Sequence, residues 1–365
     1  MDGLDLTEAW LKLNALEFRP QRARALLEAF DRDPSALFAA SAADWRGRVP
    51  GLTDKHVSRL SAIQGRSFAP ERETLARLCG RIIPYDDPCY PANLRPLPDA
   101  PPVLIARGAL VTEDKFSIAI VGSRRAGQYG RTLAQRFARE LAAHGLTVIS
   151  GGARGVDTHA HQGALEGGGR TVAFLGSGVD VCYPTDNRAL FDRIAGGGGA
   201  VVSEFPLGTR PEPWRFPARN RLISGMSLGV LVIESPADSG SLITAREAGD
   251  QGRDVFAIPG PVGDGRNSGC HRLIQDGAKL VETVDDILGE LGVLSLRSPD
   301  SPAPVPNLPP EQRRILDMLA LQPRHVDSLI AESGLTAPQV TGILTLLEMR
   351  GLARRVPGNA FVRVL

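Results

Sequence analysis

Cysteine is scarce in this sequence: Cys79, Cys89, Cys182 and Cys270 stand far apart in 365 residues. No CxxC pair offers a zinc site, and the dense spacing of a disulfide-stapled secreted domain is missing, so reduced, structural thiols are expected. Aromatic residues make up only 5% of the chain, which limits base stacking to a few positions. No apolar run approaches the ~20 residues needed to span a bilayer. The opening MDGLDLTEAW is acidic where a secretory signal would be basic and then apolar, and a cytoplasmic protein without a membrane partner is expected. A net charge of +1 excludes attraction of nucleic acid by the overall field, while permitting a local basic surface. A P-loop, GxxxxGK followed by Ser or Thr, is absent, and the spacing of GSRRAGQYG departs from GxGxxG. The common nucleotide cofactors are therefore set aside, and none is expected.

What is present falls into zones. Residues 1–66 show helical periodicity (Leu11, Leu13, Leu16; Leu26, Leu27, Phe30) broken by DRDP and VPGLTD, which predicts a small helical domain. VPGLTDKHVSRL resembles a helix-hairpin-helix, whose glycine turn can face a phosphate, though with Gly51 alone a plain turn between packed helices serves equally. From Arg77 to Arg107 the chain is proline-rich and reads as an ordered lead-in packed on the next domain. Over 77–293, continuous apolar runs at 116–122, 146–152, 170–178, 200–206, 228–236 and 254–260 alternate with helix-like stretches. That pattern predicts an α/β domain, a Rossmann-like doubly wound parallel sheet covered on both faces. Its binding crevice should lie at the carboxyl ends of the strands. A proline-rich linker follows at 294–310, and 311–365 reads as three helices and a hairpin, the order of a winged helix.

Two glycine loops follow neighbouring strands: Gly122, Gly127 and Gly130 with Arg124 and Arg125, then Gly151, Gly152 and Gly155 with Arg154. Glycine at a strand-to-helix turn lets backbone N–H groups approach an anion, and the helix start adds partial positive charge, so both loops are candidate phosphate cradles. His159 and His161 are two residues apart in VDTHAHQGAL. That stretch reads as a helix, where such a pair diverges, so no metal is expected; one packed and one polar histidine, with Asp157 capping or holding the loop, is the better reading. In WRFPARNRLISGMS, Arg215, Arg219 and Arg221 occur with no acid among them. Their partner is either a carboxylate such as Glu204 or Glu234 or a phosphate, and Phe216 and Asn220 alongside favour the phosphate. Ser239, Ser241 and Thr244 sit where a strand hands over to a helix, able to donate to phosphate or to cap the helix.

The motifs IVGSRRAGQYG, SGGARGVDTHAHQGAL, LGSGVDVCYPTDNRAL, VVSEFPLG, FPARNRLISGMSLGVLVIE, SGSLITAREA and FAIPGPVGDGRNSGCHRLIQDGA resemble, in order and spacing, the DNA-processing protein A family, also called DprA or Smf. The resemblance runs from about Tyr85 to Glu282. It implies a protein without catalysis that binds single-stranded DNA during natural transformation and protects it from nucleases. It further implies loading of the RecA recombinase, displacement of or work alongside single-strand binding protein, and action as a homodimer. It carries DNA contact onto Arg124, onto Arg188 after YPxxN, and onto Phe216, Arg219, Asn220 and Arg221 of FPxRNR. Some members have a lysine directly after the YP where this chain has Thr185, leaving Arg188 as the substitute.

The candidate DNA-binding residues are thus Gly122, Ser123, Arg124, Arg125, Gly151, Gly152, Arg154, Asn187, Arg188, Arg215, Phe216, Arg219, Asn220, Arg221, Ser241 and Thr244, with Tyr183 as a second stacking position. The predicted recognition helix of the winged helix, APQVTGILTLLEMR, is mostly apolar and offers one base, Arg350, which favours protein binding or packing there. The competing class is a nucleotide-processing enzyme of the phosphoribohydrolase kind. Its PGGxGTxxE motif has no diglycine counterpart in ESPADSGSLITAREA, and Glu247 stands in a helix-like run with no evident catalytic partner.

Overall fold

In the computed structural model of the chain, residues 5–263, 265–293, 308–320, 323–350 and 352–363 are described. The amino-terminal helices are α1 (Leu6–Ala15), α2 (Pro20–Glu28), α3 (Pro34–Ala39), α4 (Ala42–Arg48), α5 (Asp54–Gln64) and α6 (Ala69–Arg77). Asp5, Asp33, Ser41 and Thr53 cap backbone N–H groups at four of their starts. Pro20 and Pro34 fill first-turn positions, where no donor is needed. The apolar stripes close around Trp45, whose indole N–H donates to the Leu37 carbonyl. The VPGLTD segment turns between α4 and α5 at Gly51 (φ 73°), and Arg22 donates to the Pro50 and Gly51 carbonyls. Helix α6 lies wholly beyond the expected boundary at 66, and its Leu75 joins Leu11, Phe68 and Ile105, tying the helical domain to the sheet.

The central domain comprises β1 (Gly80–Pro84), β2 (Val103–Gly108), β3 (Ser117–Gly122), α7 (Gln128–Ala143), β4 (Thr147–Ser150), α8 (Val156–Glu166), β5 (Thr171–Phe174), α9 (Arg188–Arg193), β6 (Gly199–Ser203), α10 (Arg215–Met226), β7 (Gly229–Ile233), α11 (Ser241–Asp250), β8 (Asp254–Ala257), α12 (Ser268–Gln275), β9 (Lys279–Leu280) and α13 (Val284–Glu290). The strands form one sheet in the order β1-β2-β6-β5-β4-β3-β7-β8-β9. From β6 to β9 every pairing is parallel, as expected of buried apolar runs. The proline-rich lead-in contributes two strands that its composition hid: β1 and β2 add an antiparallel edge onto β6. One face of the sheet buries Leu94, Leu222 and Met226, the other Phe137, Ala160 and Ile287. Strand order reverses beside β3, since β4, β5 and β6 lie on one side and β7 on the other. That switch point is where an open α/β sheet leaves a crevice.

The tail contains α14 (Pro310–Met318), β10 (Arg324–His325), α15 (Val326–Ser333), α16 (Ala337–Met349), β11 (Ala353–Val356) and β12 (Ala360–Arg363), with its own core around Leu329, Leu344 and Leu347. These three helices and a wing hairpin form a winged helix. The linker expected at 294–310 lies, through residue 307, outside the described residues. Among the described residues no helix is long and apolar enough to cross a membrane.

The two histidines of the second glycine loop take separate partners. His161 is fully buried and its Nδ1 lies 2.6 Å from Thr171 Oγ1, which itself donates to the Val148 carbonyl. Nδ1 therefore carries the proton, and the buried Nε2 has no partner. Burial, aided by the Arg219 charge, pushes the His161 pKa down to about 3, against about 6.5 in an unfolded chain. In that window the unfolded chain binds a proton that the folded chain excludes, so stability falls as pH drops below 6.5, by up to about 1.4 kcal/mol per unit. His161→Gln should shrink the difference in urea-unfolding free energy between pH 7 and pH 5 by about 2 kcal/mol. An unchanged difference would mean that the fold accepts the proton.

Candidate nucleic-acid interface

An open cavity of about 920 Å³ lies at the carboxyl ends of β3 and β7, walled by the loops after β3, β4 and β7 and by α10. The two glycine loops meet at its floor. Gly122 is extended rather than left-handed; a Cβ there would fall 1.9 Å from the Ile233 carbonyl, so glycine is required by the close passage of β7.

Four N–H groups of these loops are held by carboxylates of the chain. Gly127 N–H and Gly130 N–H, at the start of α7, donate to Oε1 and Oε2 of Glu234 at 2.6 and 3.0 Å. Gly151 N–H and Ala153 N–H both donate to Oδ2 of Asp157 at 3.2 Å. Of the backbone donors that the phosphate expectation called on, these four are held by two buried carboxylates of the chain itself. A carboxylate satisfies a helix start for the reason a phosphate does, by accepting from orphan N–H groups at the positive end of the dipole. Glu234 keeps this position at a left-handed φ of 45°, with 3% of its surface exposed.

Side chains provide the cavity's positive charge. Arg124 and Arg125 are exposed at its rim, and the Ser123 hydroxyl accepts from Arg125 N–H. The Arg124 guanidinium lies 5.0 Å from the Phe216 ring centroid, and Phe216 packs 5.6 Å from Tyr183, which is 44% exposed. Arg219 is buried on the floor, donates to the Phe174 carbonyl and packs so closely on Gly151 that no Cβ fits there. Burial lowers its pKa to about 10, leaving it charged at neutral pH. Burial raises that of Asp157, against the Arg219 charge and its own N–H bonds. Asn220 lines the wall, with Nδ2 3.4 Å from the Gly240 carbonyl, and so do Ser241 and Thr244. The Ser241 hydroxyl is bonded to those of Ser235 and Ser239, and no side chain caps α11 at Gly240.

Other predicted residues stand elsewhere. Arg221 is outside the cavity lining, with Nε 2.8 Å from Asp99 and Nη2 2.7 Å from Glu204. Arg215 pairs at 2.8 Å with Glu17, just after α1, and stacks against Phe205 and Trp214. For both, the carboxylate partner won over the phosphate, because α10 buries the face that carries them. Asn187 is buried and donates to the Gly152 carbonyl and the Thr158 hydroxyl, so it supports the second loop. Arg154 is exposed and paired with Asp186 at 2.8 Å, and Arg188 is exposed at the start of α9, outside the lining.

Sequence reasoning missed the structural part of Glu234 and the place of Arg266 on the cavity wall, 4.0 Å from it. The available signal was an acid directly after the apolar run LGVLVI, at the strand end that faces GSRRAG. Glu247 lies outside the lining, where burial and the charges of Asp99 and Asp250 raise its pKa. Glu234→Gln keeps the shape but replaces one acceptor oxygen with an amide donor opposite an N–H. The substitution should cost about 1–3 kcal/mol in denaturant unfolding, and a neutral result would remove Glu234 from its place as the anchor of α7.

Comparison with known proteins agrees with this architecture. Residues 81–292 match the family model of DNA recombination-mediator protein A, and residues 299–359 match the DprA winged helix domain. The protein Smf of Escherichia coli strain K12 is 38% identical over 320 residues, covering 86% of this chain and 85% of its own. The X-ray structure of DNA processing protein A from Streptococcus pneumoniae superposes with a TM-score of 0.66 at 35% identity, covering 79% of this chain and 99% of that one. DNA processing protein A from Helicobacter pylori, solved to explain its single-stranded DNA binding mode, superposes at 0.50 and 30% identity over 55% of this chain and 92% of its own. By its sequence, its sheet and its winged helix, the chain belongs to the DNA recombination-mediator protein A family, DprA or Smf.

Proposed function

We propose that this protein binds single-stranded DNA in the cavity at the β3–β7 switch point. In natural transformation it would protect the strand and pass it to RecA, with single-strand binding protein as a further partner. It would work in the cytoplasm as a homodimer and without catalysis. The observation that carries the reading is the cluster of exposed Arg124 and Tyr183 around Phe216, above a buried Arg219, in the cavity at the strand ends. Cationic side chains beside an aromatic pair take a phosphate and a base face together, without reading base edges. Binding is then sequence-tolerant and steeply salt-dependent. The single-stranded DNA binding of the Helicobacter pylori relative supports the same ligand.

The bonding of the cavity carboxylates supports the non-catalytic reading. Glu234 accepts one backbone N–H on each carboxylate oxygen and Asp157 accepts two on Oδ2, which gives both a structural task. Glu247, the residue a phosphoribohydrolase reading would need, is not on the wall.

Arg124→Ala should weaken binding of oligothymidylate by roughly 5- to 10-fold at every sequence tested and reduce the salt slope by about 1. Arg221→Ala should leave that slope alone and instead cost about 2–3 kcal/mol of stability, because it strands the buried Glu204 carboxylate. A slope lowered by Arg221→Ala but not by Arg124→Ala would reverse the assignment. Incubation with nucleoside monophosphates should release no free base by chromatography, and any enzyme-dependent release would overturn the non-catalytic reading.

A further inference from the structure

A second cleft, of about 260 Å³, lies between the outer faces of α7 and α8 and the wing hairpin β11–β12. Its walls carry Arg131, Arg136 and Arg139 from α7 and Arg354 and Arg363 from the wing, against a single carboxylate, Glu166 of α8. Glu166 is engaged by the side-chain amide of Gln135 at 2.8 and 2.7 Å. Arg136 lies 3.9 Å from Glu140, and Arg363 lies 3.6 Å from Asp317. Among the described residues no carboxylate stands within ion-pair distance of Arg131 or Arg354, which face each other across the cleft from two domains. His159 adds no charge there, since burial, with Arg131 and Arg354 contributing, holds its pKa below the ordinary value.

The cleft and the cavity are bordered by neighbouring segments of the chain. Arg124 and Arg125 at the cavity rim lead directly into the first turns of α7, which hold Gln128 and Arg131 in the cleft. His159 Nδ1 lies 2.9 Å from the Gly155 carbonyl. Gly155 in turn packs against Ser123 and Arg124, where a Cβ would fall 2.2 Å from the Ser123 carbonyl. Guanidinium groups gathered on two walls repel one another, and a polyanion threaded between them reverses that cost and releases counterions. The cleft is smaller than the roughly 300–1,000 Å³ of a pocket for a drug-sized ligand, which suits a backbone segment of a single strand and excludes a duplex.

Resting on the reading of the cavity as a single-strand site, we infer that this cleft is a second phosphodiester-binding segment. The strand leaves the Rossmann-like cavity over the starts of α7 and α8 and is gripped again between Arg131 and Arg354. The winged helix thus acts as a clamp through its wing, while the apolar helix α16 plays no part in DNA contact.

The test uses the full chain with oligothymidylates of roughly 6 and roughly 25 nucleotides, a duplex of the longer length, and the variants Arg131→Glu, Arg354→Glu, Arg131→Lys and Arg354→Lys. Each charge reversal should weaken the long strand roughly 5- to 10-fold and lower its salt slope by about 1 or more, leaving the short strand within about 2-fold; the lysine variants should retain most affinity. Circular dichroism melts confirm that each variant is folded, and a variant that does not fold is replaced by its alanine counterpart. Long-strand affinity and slope unchanged in both reversals would overturn the clamp, as would equal losses for short and long strands or a larger loss for the duplex. Failure of the unaltered protein to bind either strand would instead sink the cavity reading itself.

Discussion

The geometry of the cavity depends on one buried carboxylate. Glu234 closes β7, turns the chain at a left-handed φ that costs a residue other than glycine about 1 kcal/mol or more, and accepts from Gly127 and Gly130 at the start of α7. Its own carbonyl accepts from Ser123 N–H, so the loops after β3 and β7 are tied to each other twice. Asp157 repeats the device one strand away, holding Gly151 and Ala153. A helix start in this fold attracts an anion, and here the anion is covalently part of the protein.

That arrangement changes what the site can recognise. With four of the loop donors engaged, the positive charge of the cavity rests on guanidinium groups: Arg124 and Arg125 in the open, Arg219 below. Such groups follow a backbone that bends, whereas a rigid cradle of N–H groups suits one pyrophosphate in one pose. A cavity built this way is poorly matched to a dinucleotide and well matched to a polymer. The stack of Arg124 on Phe216 and of Phe216 on Tyr183 puts the few aromatic residues of the chain to use where a base can lie flat.

Much of this fold was legible because burial on both faces leaves a plain signature. GVLVI, SIAIVG and GAVVS are continuous apolar runs, and each is a fully or almost fully buried strand of the parallel sheet. The helices between them, and the three helices and hairpin of the tail, were equally readable from periodicity. The edge strand β1 and its neighbour β2, which pairs with both β1 and β6, were not, because the proline content around them lowers strand expectation. The pairing of each arginine was also hidden. Periodicity places Arg215, Arg219 and Arg221 on α10, but only the packing of α10 against the sheet and the lead-in, and the approach of Glu17, decides which neighbour each one meets.

The three fates on that helix explain why the motif is dense in arginine. Arg215 reaches back to Glu17 and fixes the helical domain; Arg221 ties α10 to Asp99 of the lead-in and to Glu204 after β6; Arg219 alone points to the cavity floor. Two of the three charges are therefore spent on holding the third, with the adjoining Phe216 and Asn220, at the correct depth. Loss of either brace would shift the cavity wall without touching the ligand, so a weakened single-strand affinity at these positions reports on positioning rather than on contact. The distinction is physical: a lost phosphate contact releases fewer counterions on binding, whereas a tilted helix leaves that number unchanged.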